Sequence, residues 1–142
     1  NDVIQTNLSG PFFIIRAFLM HMISNRKGRI INISSLAQDG ASGQVNYAAA
    51  KAGLIGLTRT LAREYGSKGI TCNIVTVGLV ETDMTRDHLA EQLSKIWLDY
   101  CPMKRIGRAS EIASMVHYLT TEDAGFINGE VIRVSGGLTY VP

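Results

Sequence analysis

Two continuous apolar runs, Arg29–Ile33 and Ile70–Val77, flank a long helical pattern, and this arrangement limits the fold more than any other feature of the chain. Neither run alternates strictly between apolar and polar residues, so each strand must be covered on both faces, as in a parallel sheet. The helix between them is expected from about Tyr47 to Tyr65, with Gly66 and Gly69 as stop signals at its end. Strand, helix and strand of these lengths make a right-handed crossover between parallel neighbours. The fold class is therefore expected to be α/β.

The remaining segments fit around that unit. Within Val3 to Ile23, the residues Phe12, Ile15, Phe18, Leu19, Met22 and Ile23 form a helical stripe. Pro11 is unfavourable inside a helix, so either a helix begins near it or an earlier one bends there. Asn25-Arg26-Lys27-Gly28 is a polar, basic stop. The early face of the second helix is built from Ala48, Ala49, Ala50, Ala52, Gly53 and Gly56. A glycine inside a helix costs about 1 kcal/mol against alanine, so this face is expected to meet another backbone closely, from a helix or a second subunit. From Glu81 to Arg108 the pattern loosens around Met84, Leu89, Leu93, Trp97 and Leu98, bounded by Pro102 and Gly107. A third helix is expected from Ser110, with Ile112, Met115, Val116 and Leu119 inward. Gly129 to Val134 reads as a last strand, and Gly136-Gly137 turns the chain out.

Composition narrows the function classes. With 46% apolar and 18% charged residues, the 142-residue chain can bury a sizeable core. Its net charge of +2 argues against nucleic acid as an obligate partner. Cys72 and Cys101 have neither zinc-ligand spacing nor a disulfide framework, which points to a reducing cytoplasm and to no metal. No apolar run is expected to approach the ~18 residues of a membrane span. The first residue is Asn rather than Met, so the lack of a leader carries no weight.

Chemistry concentrates between Arg29 and Lys51. Tyr47 and Lys51 are one helical turn apart and share a face. A phenol is a poor acid at neutral pH, and a neighbouring ammonium favours its ionised form. Ser35 ends the preceding strand, and a polar glycine loop can fold its hydroxyl back towards Tyr47. Together they can exchange one proton at a carbonyl or alcohol oxygen while Ser35 holds that oxygen. A Tyr-x-x-x-Lys pair alone is more often a solvated helix face with a snorkelling lysine, so the surrounding motifs decide.

Those motifs run along the whole chain in order: TNLSG, INISSLAQDGASGQVNYAAAKAG, NIVTVGLVETDMT and FINGEVIRVSGG. The chain thereby resembles the short-chain dehydrogenase/reductase family. The resemblance implies the C-terminal part of a Rossmann-like, doubly wound parallel sheet, about three-fifths of the family fold. The glycine-rich turn that holds a dinucleotide pyrophosphate in such folds is missing here. Gly136-Gly137 follows the last strand and does not replace it. The isolated 142 residues are accordingly expected neither to bind dinucleotide nor to turn over substrate.

Carried over position by position, the resemblance implies these roles. Asn7 holds, through its backbone, a water that links the lysine to solvent; an isolated Asn near a helix start is otherwise a cap. Ser35 orients the substrate, Tyr47 donates the proton, and Lys51 assists Tyr47 and bonds the nicotinamide ribose. Ser34, one place earlier, is expected to point into the sheet. The Ser35–Tyr47 segment is about one residue shorter than in the bacterial ketoacyl reductases. In Val77-Gly78-Leu79-Val80-Glu81-Thr82, Gly78 makes the tight turn, Val80 offers backbone to the carboxamide, and Thr82 bonds the cofactor. Val77 stands where the family has proline, a change expected to loosen the loop. Residues Met84 to Ile106 occupy the place of a substrate lid, with Met84, Trp97 and Met103 as candidate lining.

ETDMT and the Gly-Gly-Leu tail resemble the branch that reduces 3-oxoacyl thioesters on acyl carrier protein. That implies an NADP (or NAD) cofactor and an acyl substrate, small or carrier-bound. It also implies a cytoplasmic homo-oligomer, dimer or tetramer, with Arg26, Lys27 and Lys68 near the cleft for the acidic carrier. The rival reading is a catalytically silent structural or partner-binding subunit. Intact Ser35, Tyr47 and Lys51 oppose it, whereas Val77 and the absent phosphate loop favour it.

Overall fold

The computed structural model describes residues 1–82 and 91–142. In chain order the elements are α1 (Asp2–Asn25), β1 (Gly28–Ser35), α2 (Val45–Tyr65), β2 (Ile70–Val77), β3 (Val80–Glu81), α3 (Glu91–Tyr100), β4 (Gly107–Arg108), α4 (Ala109–Thr120) and β5 (Val131–Val134). β1, β2 and β5 form a parallel sheet in the order β1-β2-β5. Gly28 faces Ile70, and Ser35 faces Val77. β3 and β4 pair as a separate short ladder.

The non-alternating strands have the expected cause. Ile30 and Cys72 face a cluster with Ile15, Leu61 and Ala62 of α1 and α2. Ile31, Val75 and Val77 face the other side, where Leu119, Ile112 and Val116 of α4 close over them. Central β2 is buried from Ile70 to Thr76. Gly69 makes the entry to β2 possible: its φ is +77°, and a Cβ there would lie 2.1 Å from the Arg26 carbonyl oxygen. The last strand starts at Val131 rather than Gly129, because Gly129 sits in a turn at φ +80° and donates its N–H to Cys72 O.

The α1 run resolves the expectation at Pro11. Helix continues through it, with a π-helical turn over Gln5–Ser9. Gly10 N–H reaches back to Gln5 O, five residues away, and so takes up the extra residue just before the proline ring. Contrary to expectation, Asp2–Asn25 is by length and composition apolar enough to cross a membrane. Isolated polar residues (Gln5, Thr6, Asn7, Ser9, His21) interrupt each local apolar run without lowering the average much. In this fold the same helix lays Ile15, Leu19, Met22 and Ile23 on the sheet.

The small-residue face of α2 meets a helix of the same chain. A Cβ on Gly53 would come within 2.9 Å of Leu8, whereas Gly56 has open space before it. Of the residues expected to line a lid, Met84, Leu89 and the Leu93 side chain lie outside the described residues. Trp97 packs against Leu36, Cys101 and Leu138, and Met103 is largely exposed.

Candidate active site

The carboxyl end of β1 and the first turns of α2 bring the polar groups together. The Lys51 ammonium lies 5.5 Å from the Tyr47 ring centroid, as their four-residue spacing requires. It donates to the Ile33 carbonyl at 3.0 Å. The lysine thereby takes up one carbonyl of the terminal segment of β1. In return Ser34, buried in the sheet as expected, directs its hydroxyl at the Lys51 carbonyl, 3.5 Å away. Partial burial lowers the Lys51 pKa from its ordinary value, which suits an ammonium set at a cleft rim rather than in open water.

Ser35 leaves the strand in an extended conformation and caps a short 3-10 turn, Leu36–Asp39, its Oγ accepting the Ala37 N–H at 3.3 Å. Among the described residues, the Ser35 hydroxyl hydrogen has no acceptor and the Tyr47 hydroxyl makes no hydrogen bond. The two hydroxyls are not bonded to each other, so both remain available to a third oxygen.

Asn7 sits inside the π turn rather than at a cap, and its amide donates to Val3 O at 3.0 Å. Pro11, four residues on, has no N–H to offer the Asn7 carbonyl.

Gly78 closes against β5: its N–H bonds Val134 O at 3.1 Å, and a Cβ would lie 2.7 Å from Ser135 Cα. Val77 remains in register with both Ser35 and Val134, so its N–H stays within the sheet, where a proline would offer none. Val80 is buried beside a cavity of about 190 Å³ whose wall includes Leu98, Cys101, Met103, Arg105 and Ile112. None of Ser35, Tyr47 and Lys51 lines it. Thr82 is exposed at the end of the described segment. At the α4 start, Arg105 clamps Glu111 at 2.6 Å and 2.8 Å, and Arg108 N–H adds a third bond. These bonds hold the Glu111 carboxyl at a pKa of about 2.

The basic residues expected beside the cleft lie elsewhere on the chain. Arg26 and Lys27 precede β1 and Lys68 precedes β2, whereas Ser35 and Gly78 follow those strands. Eight residues of parallel strand put the two ends roughly 23 Å apart. Lys27 also pairs with Glu122 at 3.1 Å, and Arg26 donates to Ser67 O.

Sequence reasoning passed over three residues that hold the serine loop. Leu36 is buried against Cys101 and Leu138, Gln38 accepts from Thr76, and Asp39 pairs with Arg133. The only sequence signal for them was an apolar-then-polar tetrad within an otherwise glycine-rich loop.

Comparison with known proteins covers the chain almost completely. A family model described as enoyl-(acyl carrier protein) reductase matches residues 1–139. The 3-oxoacyl-(acyl-carrier-protein) reductase of Salmonella typhimurium is 49% identical over 142 residues, 99% of this chain and 58% of that protein. The reductase of the same name from Escherichia coli is 48% identical over the same shares. The chain thus spans 58% of the length of these curated relatives. Among solved structures, a 3-oxoacyl-(acyl-carrier protein) reductase from Brucella melitensis superposes with a TM-score of 0.89 at 35% identity, covering 94% of this chain and 50% of that one. A putative 2-deoxy-D-gluconate 3-dehydrogenase from Agrobacterium tumefaciens, with bound NADP, gives 0.87 at 34% identity, covering 92% and 55%.

Proposed function

Because the chain belongs to the short-chain dehydrogenase/reductase family, we propose that the protein containing it reduces a carbonyl with a nicotinamide dinucleotide, its substrate a 3-oxoacyl thioester on acyl carrier protein. The observation that carries this reading is the juxtaposition of the Lys51 ammonium and the Tyr47 ring, with the Ser35 hydroxyl at the end of β1 lacking an acceptor among the described residues. Relatives named as 3-oxoacyl-(acyl-carrier-protein) reductases support the substrate class, and the NADP-bound neighbour supports the cofactor.

The residues present fit the nicotinamide and ribose half of that cofactor. Lys51 spends one ammonium hydrogen on Ile33 O and keeps two for ribose hydroxyls, while Gly78, Val80 and Thr82 border the same end of the sheet. The glycine-rich turn that would hold the phosphates is not in residues 1–142, so these residues form the catalytic portion of one Rossmann-like domain. When bound, the cofactor supplies a hydride to the carbonyl carbon. Ser35 donates a hydrogen bond to the carbonyl oxygen and fixes it. Tyr47 gives that oxygen its proton as negative charge develops there, and the Lys51 ammonium stabilises the charge left on the phenolic oxygen. Asn7 holds the water through which Lys51 exchanges protons with solvent.

The partner reading takes a different form from the single-chain expectation. Phe12, Phe13, Ile14, Phe18 and Met20 of α1 are exposed, and α1 with α2 forms a helix bundle across a two-fold axis. Antiparallel helices then bring the Arg26–Lys68 end of one subunit towards the Tyr47 end of the other. An acidic carrier docked on those cations delivers its acyl chain to the neighbouring subunit's site. The assembly is a cytoplasmic homo-oligomer, dimer or tetramer.

The test is turnover of a 3-oxoacyl thioester, free and carrier-bound, by the full-length protein with NADPH and with NADH. Reduction with NADPH supports the reading; tight cofactor binding with no turnover of any ketone would show a silent family member. Sedimentation as a monomer at micromolar concentration would remove the two-fold bundle.

A further inference from the structure

Immediately after Ser35 the chain runs sideways across the sheet instead of rising from it. Ser34, Thr76 and Arg133 form one register row over β1, β2 and β5, neighbouring strands lying about 4.8 Å apart. Two consecutive loop residues fold back onto that row. The Thr76 hydroxyl donates to Gln38 Oε1 at 3.2 Å, both side chains being buried. Next to it, Arg133 Nη2 donates to Asp39 Oδ2 at 2.8 Å. Leu36 meanwhile is sunk among Cys101 and Leu138, and the Ala37 N–H is spent on Ser35 Oγ. Each residue from Leu36 to Asp39 is thus held by a different partner.

Ser35 is the last residue of β1, where the strand ladder ends. A loop hinged there and otherwise untethered would let the serine hydroxyl wander by more than the ~0.5 Å that productive geometry tolerates. Contacts reaching across to the buried central strand and beyond it to β5 tie the serine to the sheet.

We propose that Gln38 and Asp39, through Thr76 and Arg133, are positioning residues for Ser35, a staple that sets the reach of its hydroxyl; the inference rests on the reductase reading above. They touch neither substrate nor cofactor. Their loss should lower kcat for carbonyl reduction while the KM for NADPH stays the same, because cofactor contacts lie on other segments.

The experiment uses the full-length protein with Thr76→Val, Asp39→Asn, and the exchanged pair Asp39→Arg with Arg133→Asp. Two quantities are read together: amide hydrogen exchange of residues 36–40, with Val75 as internal control, and the kinetics of 3-oxoacyl thioester reduction. Thr76→Val leaves the buried Gln38 carbonyl without its donor, so loop exchange should quicken about tenfold. Asp39→Asn removes a half-exposed ion pair and should quicken it up to about fivefold. In both, kcat falls in the same order, Val75 exchange is unchanged, and the exchanged pair recovers most of the Asp39→Asn loss. Faster loop exchange with kcat untouched would overturn the positioning role, and unmoved exchange in both variants would overturn the staple. If wild-type protein binds NADPH but reduces no ketone, the reductase reading fails on its own, and the exchange results still decide whether the staple exists.

Discussion

The two flanks of the sheet are built on different principles. On the α4 side, Val75, Leu119 and Ala124 are almost completely buried, and Ile112, Val116, Ile132 and Val134 pack against them. At the carboxyl end of β1 the terminal contacts to α2 are instead polar, hydrogen bonds from Lys51 and Ser34. The proposed chemistry lies on this polar flank. An acid–base site needs polar groups with donors to spare, and close apolar packing leaves none. The α4 flank supplies the rigidity, and the β1 flank spends it.

That contrast can be broken by exchanging the cost of a substitution between flanks. Lys51→Met should cut carbonyl reduction by about 10²–10⁴-fold in the full-length protein, with little loss of thermal stability. The sign of the charge effect supports the second half. Burial depresses the folded-state pKa of Lys51, so the unfolded chain binds the proton more readily. Holding the ammonium therefore costs stability at neutral pH, a cost relieved as pH rises through the lowered value towards the ordinary lysine range. Steady-state kinetics and a pH series of thermal melts check both parts, and Met should abolish that alkaline rise.

Leu119→Ala should do the reverse. Its side chain is 1% exposed, and truncation should cost roughly 2–5 kcal/mol by denaturant unfolding. kcat per folded molecule should stay near wild type. A Leu119 variant that lost catalysis without losing stability would erase the distinction between flanks.

How much of this could be read in the sequence follows from the same physics. Ile70–Val77 is matched residue for residue, because a fully buried strand leaves an unbroken apolar run and Gly69 marks its entry. The Tyr47–Lys51 juxtaposition follows from helical spacing alone. The π turn was half legible: Pro11 announced a disturbance, but a restart and a bulge are both compatible with the local sequence. Gln38 and Asp39 were illegible, since their partners lie 38 and 94 residues away and no local pattern encodes such contacts. The misplaced cations teach most. In a parallel sheet, residues preceding strands and residues following them lie at opposite ends, so Arg26, Lys27 and Lys68 could have been set apart from Ser35 by chain order alone.

A smaller effect sharpens the picture at the base of α4. The Arg105 and Arg108 bonds hold the Glu111 carboxyl at about 2, below its ordinary 4.5. A depressed carboxylate contributes stability that is complete above the unfolded value and is lost as pH falls from about 4.5 through about 2. Glu111→Gln should flatten the pH dependence in that window, its small loss of stability being greatest at neutral pH and vanishing towards pH 2. Acid titration followed by circular dichroism reads it.

The central claim is that Tyr47 delivers the proton from the polar flank. Its most direct test is Tyr47→Phe in the full-length protein, comparing NADPH affinity by calorimetry with single-turnover reduction of a 3-oxoacyl thioester. Loss of one hydroxyl should leave the cofactor Kd within about twofold while reduction falls by roughly 10²–10⁴-fold. Reduction at a rate comparable to wild type, with the cofactor bound, would contradict the account.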